Sequence, residues 1–241
     1  MLVAAAVCPH PPLLIPEAMG GPEPGDAMDA VRAACDAAVA ALLCAVPDLL
    51  VAVGGADAGA EYDGSAAGSL HDYGVGFVTG TGPPVLPLSL TVAAWLLRRA
   101  RGPGWPEQPR IVFRAVARGA APAQCLRLGA EIARQAPRVA MLAMGDGSAR
   151  MAVGVPGAAD PVSESYDADV AAALAAADAD RLARVPPSLD DELMVSGRPS
   201  WQVLAGAARG GRYRGRLRCA ARPHAVSYLV ASWDADCYSS R

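Results

Sequence analysis

Leu2-Val-Ala-Ala-Ala-Val-Cys8-Pro-His-Pro-Pro12 is an apolar run that ends in a proline-locked loop. Pro9, Pro11 and Pro12 fix φ and remove backbone donors, so neither a helix nor a strand ladder can continue past Cys8. The run also resembles a lipoprotein cleavage box at Cys8. No basic segment precedes it, however, and the apolar stretch is too short for a signal, so residues 2 to 7 read as a buried first strand.

Outward from that strand, apolar runs alternate with helical periodicity. Asp26 is placed to cap a helix over about 27 to 46, where Met28, Val31, Cys35, Val39, Leu42 and Val46 form one stripe closed by Pro47. Asp48 to Val53 reads as a second buried strand. Gly54 to Tyr73 follows without periodicity, as a long loop of the kind that holds sites at strand ends. A helix over 87 to 101 precedes a strand at 111 to 116, and a helix over 122 to 135 precedes a strand at 139 to 144. Residues 145 to 165 read as a second Gly/Pro-rich loop. Helices are expected over 167 to 185, 188 to 195 and 199 to 209, and β-runs near 215 to 221 and 225 to 233. Strands alternating with helices imply an α/β fold: a three-layer α/β/α sandwich around a largely parallel or mixed sheet. No repeat or linker divides residues 1 to 241, which read as one domain.

The composition narrows the functional classes. The chain has 241 residues, 53% of them hydrophobic, and can bury a core without staples. Its apolar runs are broken by Gly, Pro, Asp or Arg well short of the roughly 18 to 20 residues of a membrane helix, so no membrane is expected as a partner. All 21 basic residues are Arg, and 24 acidic residues oppose them. The Arg209, Arg212, Arg214, Arg216 and Arg218 cluster reads as a solvated hairpin, and no broad basic face for nucleic acid is expected. Six cysteines without Cys-x-x-Cys or metal-knuckle spacing suit a reduced, cytoplasmic compartment.

The chain has three histidines, His10, His71 and His224. His10 follows the first strand in the rigid loop, where open α/β sheets place ligands; it is a candidate metal ligand or a ring that caps loop carbonyls. Asp57, Glu61, Asp63, His71 and Asp72 concentrate donors in the following loop, either as ligands beside His10 or as a solvated surface. In Met144-Gly-Asp-Gly-Ser148, Asp146 is a candidate base or ligand, or else stabilises the turn. Ser148 lacks a nucleophile-elbow pattern, which argues against a serine hydrolase. His224, after Pro223, reads as an exposed loop residue.

Cys8-Pro-His-Pro-Pro-Leu-Leu-Ile-Pro16 is the strongest of four segments that together resemble the catalytic B subunit of class III extradiol ring-cleavage dioxygenases and their Memo-type relatives. The others are Pro47-Asp-Leu-Leu-Val-Ala-Val53, Ala143-Met-Gly-Asp-Gly-Ser148 and Ser196-Gly-Arg-Pro-Ser-Trp-Gln-Val-Leu-Ala-Gly206. The resemblance implies a mononuclear Fe(II) held by two histidines and a glutamate, with a further histidine as acid/base. His10 matches the first ligand. The second histidine's place is taken by Ala56 or Asp57, the acid/base position is Ala149, and the glutamate position is Val195, with Glu192 nearly one helical turn away.

The resemblance therefore implies a scaffold that lacks ordinary iron-dependent catechol cleavage and any cofactor. It would keep a pocket near Pro9, Pro11, Glu61, Ser148 and Glu192 for a small-molecule ligand or partner. The alternative is an enzyme that binds Fe(II) or another divalent metal through His10, Asp57 and His71, with Asp146 as a base. A third class is a structural or regulatory member of a homo-oligomer.

Overall fold

The computed structural model describes residues 1–19, 28–100, 109–151 and 160–236. In chain order these form β1 (Leu2–Cys8), α1 (Asp29–Cys44), β2 (Leu49–Ala56), β3 (Ala60–Asp63), β4 (Ala66–Ser69), β5 (Val78–Thr79), β6 (Thr81–Pro84) and α2 (Leu88–Ala100). They continue with β7 (Arg110–Ala117), α3 (Pro122–Ile132), β8 (Val139–Met144), α4 (Pro161–Ala176), α5 (Ala179–Ala183), α6 (Asp190–Leu193), α7 (Arg198–Ala208), β9 (Tyr213–Ala221) and β10 (Tyr228–Ala235).

Seven strands make one mixed sheet in the order β3-β7-β2-β8-β1-β10-β9. The central four, β7, β2, β8 and β1, are parallel, while β3 and β10 pair antiparallel at the two sides and β9 closes the far edge. A strand presents alternate residues to opposite faces. Accordingly Ala4, Ala6, Cys8, Leu50 and Ala52 enter a core with α1 and α2, whereas Ala5, Val7, Leu49, Val51 and Val53 enter a second core with α3, α4 and α7. Helices thus cover both faces, giving the expected α/β/α sandwich.

Several boundaries differ from the sequence reading. The expected cap Asp26 lies outside the described residues; α1 begins at Asp29, with Met28 at the cap position and no side-chain cap bond. The segment expected as loop from Gly54 to Tyr73 holds the end of β2, then β3, β4 and a 3-10 turn at His71–Tyr73. Ala60–Asp63 is a strand because the open edge of β7 offers it a ladder, a long-range cause that its composition does not carry. The Asp63 carboxylate then accepts bonds from the N–H and hydroxyl of Ser65 and turns the chain toward β4. β4 pairs with β5 and β6 in a small second sheet that packs on α2.

The expected helix over 167 to 185 starts earlier, because Asp160 caps α4 by accepting from the N–H groups of Val162 and Ser163. It breaks into α4 and α5 at Ala177, which adopts φ 51°. Residues 188 to 195 form a 3-10 turn at Pro187–Leu189 and the short α6. No helix among the described residues is long and apolar enough to cross a membrane.

Candidate functional site

The carboxyl ends of the four parallel strands deliver their following residues to one place: His10 after β1, Asp57 after β2, Arg118 after β7 and Asp146 after β8. A cavity of about 250 Å³ opens there, lined by His10, Gly55, Asp57, Tyr73, Pro87, Leu88, Ser89, Arg118 and Ser196. Strand ends in an open α/β sheet converge on such a crevice because the helices begin beyond it.

His10 is held by its backbone. Its N–H donates to Asp146 Oδ1 at 2.8 Å, and the adjacent Gly145 N–H donates to the Cys8 carbonyl at 2.9 Å. The flanking Pro9 and Pro11 are buried. The His10 side chain is 12% exposed, its Nδ1 lies 3.8 Å from Asp146 Oδ1, and that nitrogen is buried without a hydrogen-bond partner.

Asp146 is itself pinned from the start of α7. Its N–H donates to Ser196 Oγ at 3.1 Å, and its carbonyl accepts from the N–H groups of Ser196 and Gly197 at 3.3 and 2.9 Å. The approach is close enough to require glycine: a Cβ on Gly145 would sit 2.2 Å from Gly197 Cα. Asp146 thus performs a turn-stabilising role, with its carboxylate serving the His10 loop. Burial, together with the Asp146 charge, pushes the Tyr228 phenol up to about 12.

On the opposite wall the Asp57 carboxylate is 94% exposed and accepts from Arg118 Nη2 at 2.7 Å. The Arg118 backbone is fixed more firmly than its side chain: its N–H donates to the Ala56 carbonyl at 3.0 Å, and its carbonyl accepts from Arg198 Nη2 at 3.1 Å. Arg198 is only 1% exposed. It also donates to Asp190 Oδ2 at 2.5 Å, to Gln202 Oε1 at 2.8 Å and to the Ala120 carbonyl at 3.0 Å. Burial raises the Asp190 carboxyl pKa even against the opposing pull of Arg198. Ser89 fixes the floor by donating to the Gly55 carbonyl at 2.8 Å.

The structure brings His10, Asp57 and Asp146 to the same strand ends but places His71 elsewhere. His71 is exposed on the 3-10 turn and absent from the cavity lining, to which that turn contributes Tyr73 instead. Of the other sequence-read pocket residues, Glu61 pairs with Arg114 on the sheet edge at 2.7 Å and Glu192 pairs with Arg150 at 2.8 Å. Ser148 is fully buried, its hydroxyl donating to Asp167 Oδ2 at 2.6 Å beside Arg222, which pairs with the same carboxylate. None of these three lines the cavity, and Pro9 and Pro11 act from behind it. His224 is exposed, as expected.

The donors do not fit the ferrous site implied by the sequence resemblance. Among the described residues no three His, Cys, Asp or Glu side chains are grouped so as to hold a metal ion, and His10 is the one imidazole in the cavity lining. Arg118 and Ser89 were not singled out from the sequence, and Ser196 entered only as the first residue of a segment that resembles the dioxygenase subunit. For Arg118 the available signal was a charge directly following an apolar strand; Ser89 carried none.

Fold and cavity together define a three-layer α/β/α protein with a small polar crevice at the ends of its parallel strands. No protein-family model matches the sequence, and no curated protein matches it. Among solved structures it is similar to an uncharacterized protein, JW3007, from Escherichia coli K12, with a TM-score of 0.53 and 12% identity over 96% of this chain and 99% of that one. That similarity speaks to the fold.

Proposed function

We propose that this chain is a divergent relative of the extradiol dioxygenase B subunit that binds a small molecule in the strand-end cavity without cleaving catechol rings. One observation carries the reading: His10 is presented to the cavity while the second imidazole and the glutamate that would complete a ferrous coordination sphere beside it are missing from its lining. A metal-dependent oxygenase needs at least three protein donors and open positions for substrate and oxygen. Beside His10 the cavity lining holds Asp57 as its one carboxylate, and His71 lies outside, so two such donors face the cavity where three are needed. His10 is instead pre-oriented by prolines and by Asp146, as suits a binding group. A cytoplasmic location belongs to the same proposal, supported by the free thiols of Cys8, Cys35, Cys44, Cys125 and Cys219.

The test is a ring-cleavage assay after anaerobic Fe(II) loading, with catechol and protocatechuate, followed by absorbance for a ring-opened product. The proposal expects both substrates to be recovered intact. Turnover that disappears in His10→Ala would overturn it.

A further inference from the structure

We infer that the cavity takes a small organic monocarboxylate, whose carboxylate displaces Asp57 from Arg118 while its body lies against Tyr73, Pro87 and Leu88 toward His10. The inference rests on the small-molecule reading above and specifies its ligand.

Arg118 is the cation of the cavity lining, and its partnership is loose. The side chain is 69% exposed and makes a single hydrogen bond, from Nη2 to an Asp57 carboxylate that is itself almost fully exposed. Exposed pairs of this kind contribute little and exchange readily. A guanidinium carries five donors in a planar fork that matches a carboxylate in a two-point contact, so most of that capacity is uncommitted. Its base is nevertheless preset: the Arg118 carbonyl is held by the buried Arg198, and the N–H by Ala56. A fixed backbone with a displaceable head is a suitable anchor for an incoming anion.

Charge ranks the anions. Asp57 and Asp146 place two carboxylates at the strand ends against the one Arg118, so a second negative charge on the ligand adds repulsion, and a monoanion is favoured over a dianion such as a phosphate monoester. Size limits the body, because about 250 Å³ is at or below the small end of ligand pockets. The Tyr73, Pro87 and Leu88 wall favours an apolar body, and the His10 ring offers one further polar contact.

The experiment uses benzoate and its uncharged isostere benzamide, titrated into the full chain and followed by calorimetry and by the His10 ring resonances. Benzoate is expected to bind and shift the His10 signals, with benzamide at least about tenfold weaker. Arg118→Gln is expected to remove that preference. Asp57→Asn is expected to tighten benzoate several-fold, because it removes the competing carboxylate. Equal binding of both probes with the His10 signals shifted, or weaker benzoate binding in Asp57→Asn, would overturn the carboxylate inference and leave the small-molecule reading standing. If neither probe disturbs His10 at tens of millimolar, the inference and the underlying reading both fall.

Discussion

Arg198→Met tests how the site is held. The substitution keeps most of the volume but removes the charge from a side chain that is 1% exposed. It deletes the 2.5 Å pair with Asp190 and the bonds to Gln202 and to the carbonyls of Ala120 and Arg118. Asp190 has a side chain only 14% exposed and is left without its counter-charge. Breaking a buried pair from one side costs about 3–5 kcal/mol, more than a deleted neutral hydrogen bond, because the remaining charge stays desolvated. In a chain of this size each kcal/mol lowers Tm by about 2–4 °C, so the midpoint is expected to fall by roughly 6–20 °C. Burial already raises the folded-state pKa of Asp190, and removing Arg198 raises it further. The folded state then binds that proton more tightly than the unfolded state. Stability from this group is present below the ordinary carboxylate pKa and is lost as pH rises through the raised value. Urea denaturation at pH 5 and pH 7.5 should therefore show the larger loss at pH 7.5. Arg198→Met with Asp190→Leu should recover most of it, since replacing both partners by apolar groups is often neutral. A loss below about 1 kcal/mol, or a double variant no better than the single, would refute the assignment of Arg198 as the buried cation that holds the Arg118 loop.

Two further outcomes follow from local geometry. Gly145→Ala places a methyl 2.2 Å from Gly197 Cα, where backbone meets backbone, and should cost about 1–3 kcal/mol in denaturation while shifting the His10 ring resonances through Asp146. Tyr228 ionises at about 12 in the folded chain, so the unfolded chain loses this proton first. Stability should fall by roughly 2–3 kcal/mol between about pH 10 and 12, and in Tyr228→Phe that portion of the alkaline loss should be absent from denaturation midpoints measured across the range.

The central architecture was legible because it follows from local pattern. Leu2–Cys8, Leu49–Ala56 and Val139–Met144 are short apolar runs set between helical periodicities, and buried parallel strands have that form. The small strands after β2 were illegible for the opposite reason. Ala60–Asp63 becomes a strand through the free edge of β7, and Thr81–Pro84 pairs despite its glycine and prolines, so neighbours distant in sequence decide both. His10 stood out in the site because prolines announce a rigid loop whatever surrounds it. His71 did not join it, since composition shows that a donor lies in a loop but not which way the loop runs once β3 and β4 form. Arg118 and Arg198 are two arginines among many in the sequence. Their roles come from backbone carbonyls brought in by the fold, Ala56 for Arg118 and Ala120 for Arg198, together with the carboxylate of Asp190 one short helix before Arg198.

The most direct measurement of the central claim is an anaerobic Fe(II) titration of the full chain and of His10→Ala, with iron per chain counted after dialysis. Both proteins are expected to retain far less than one iron per chain and to be indistinguishable. One tightly held iron per chain, lost on substitution of His10, would contradict it.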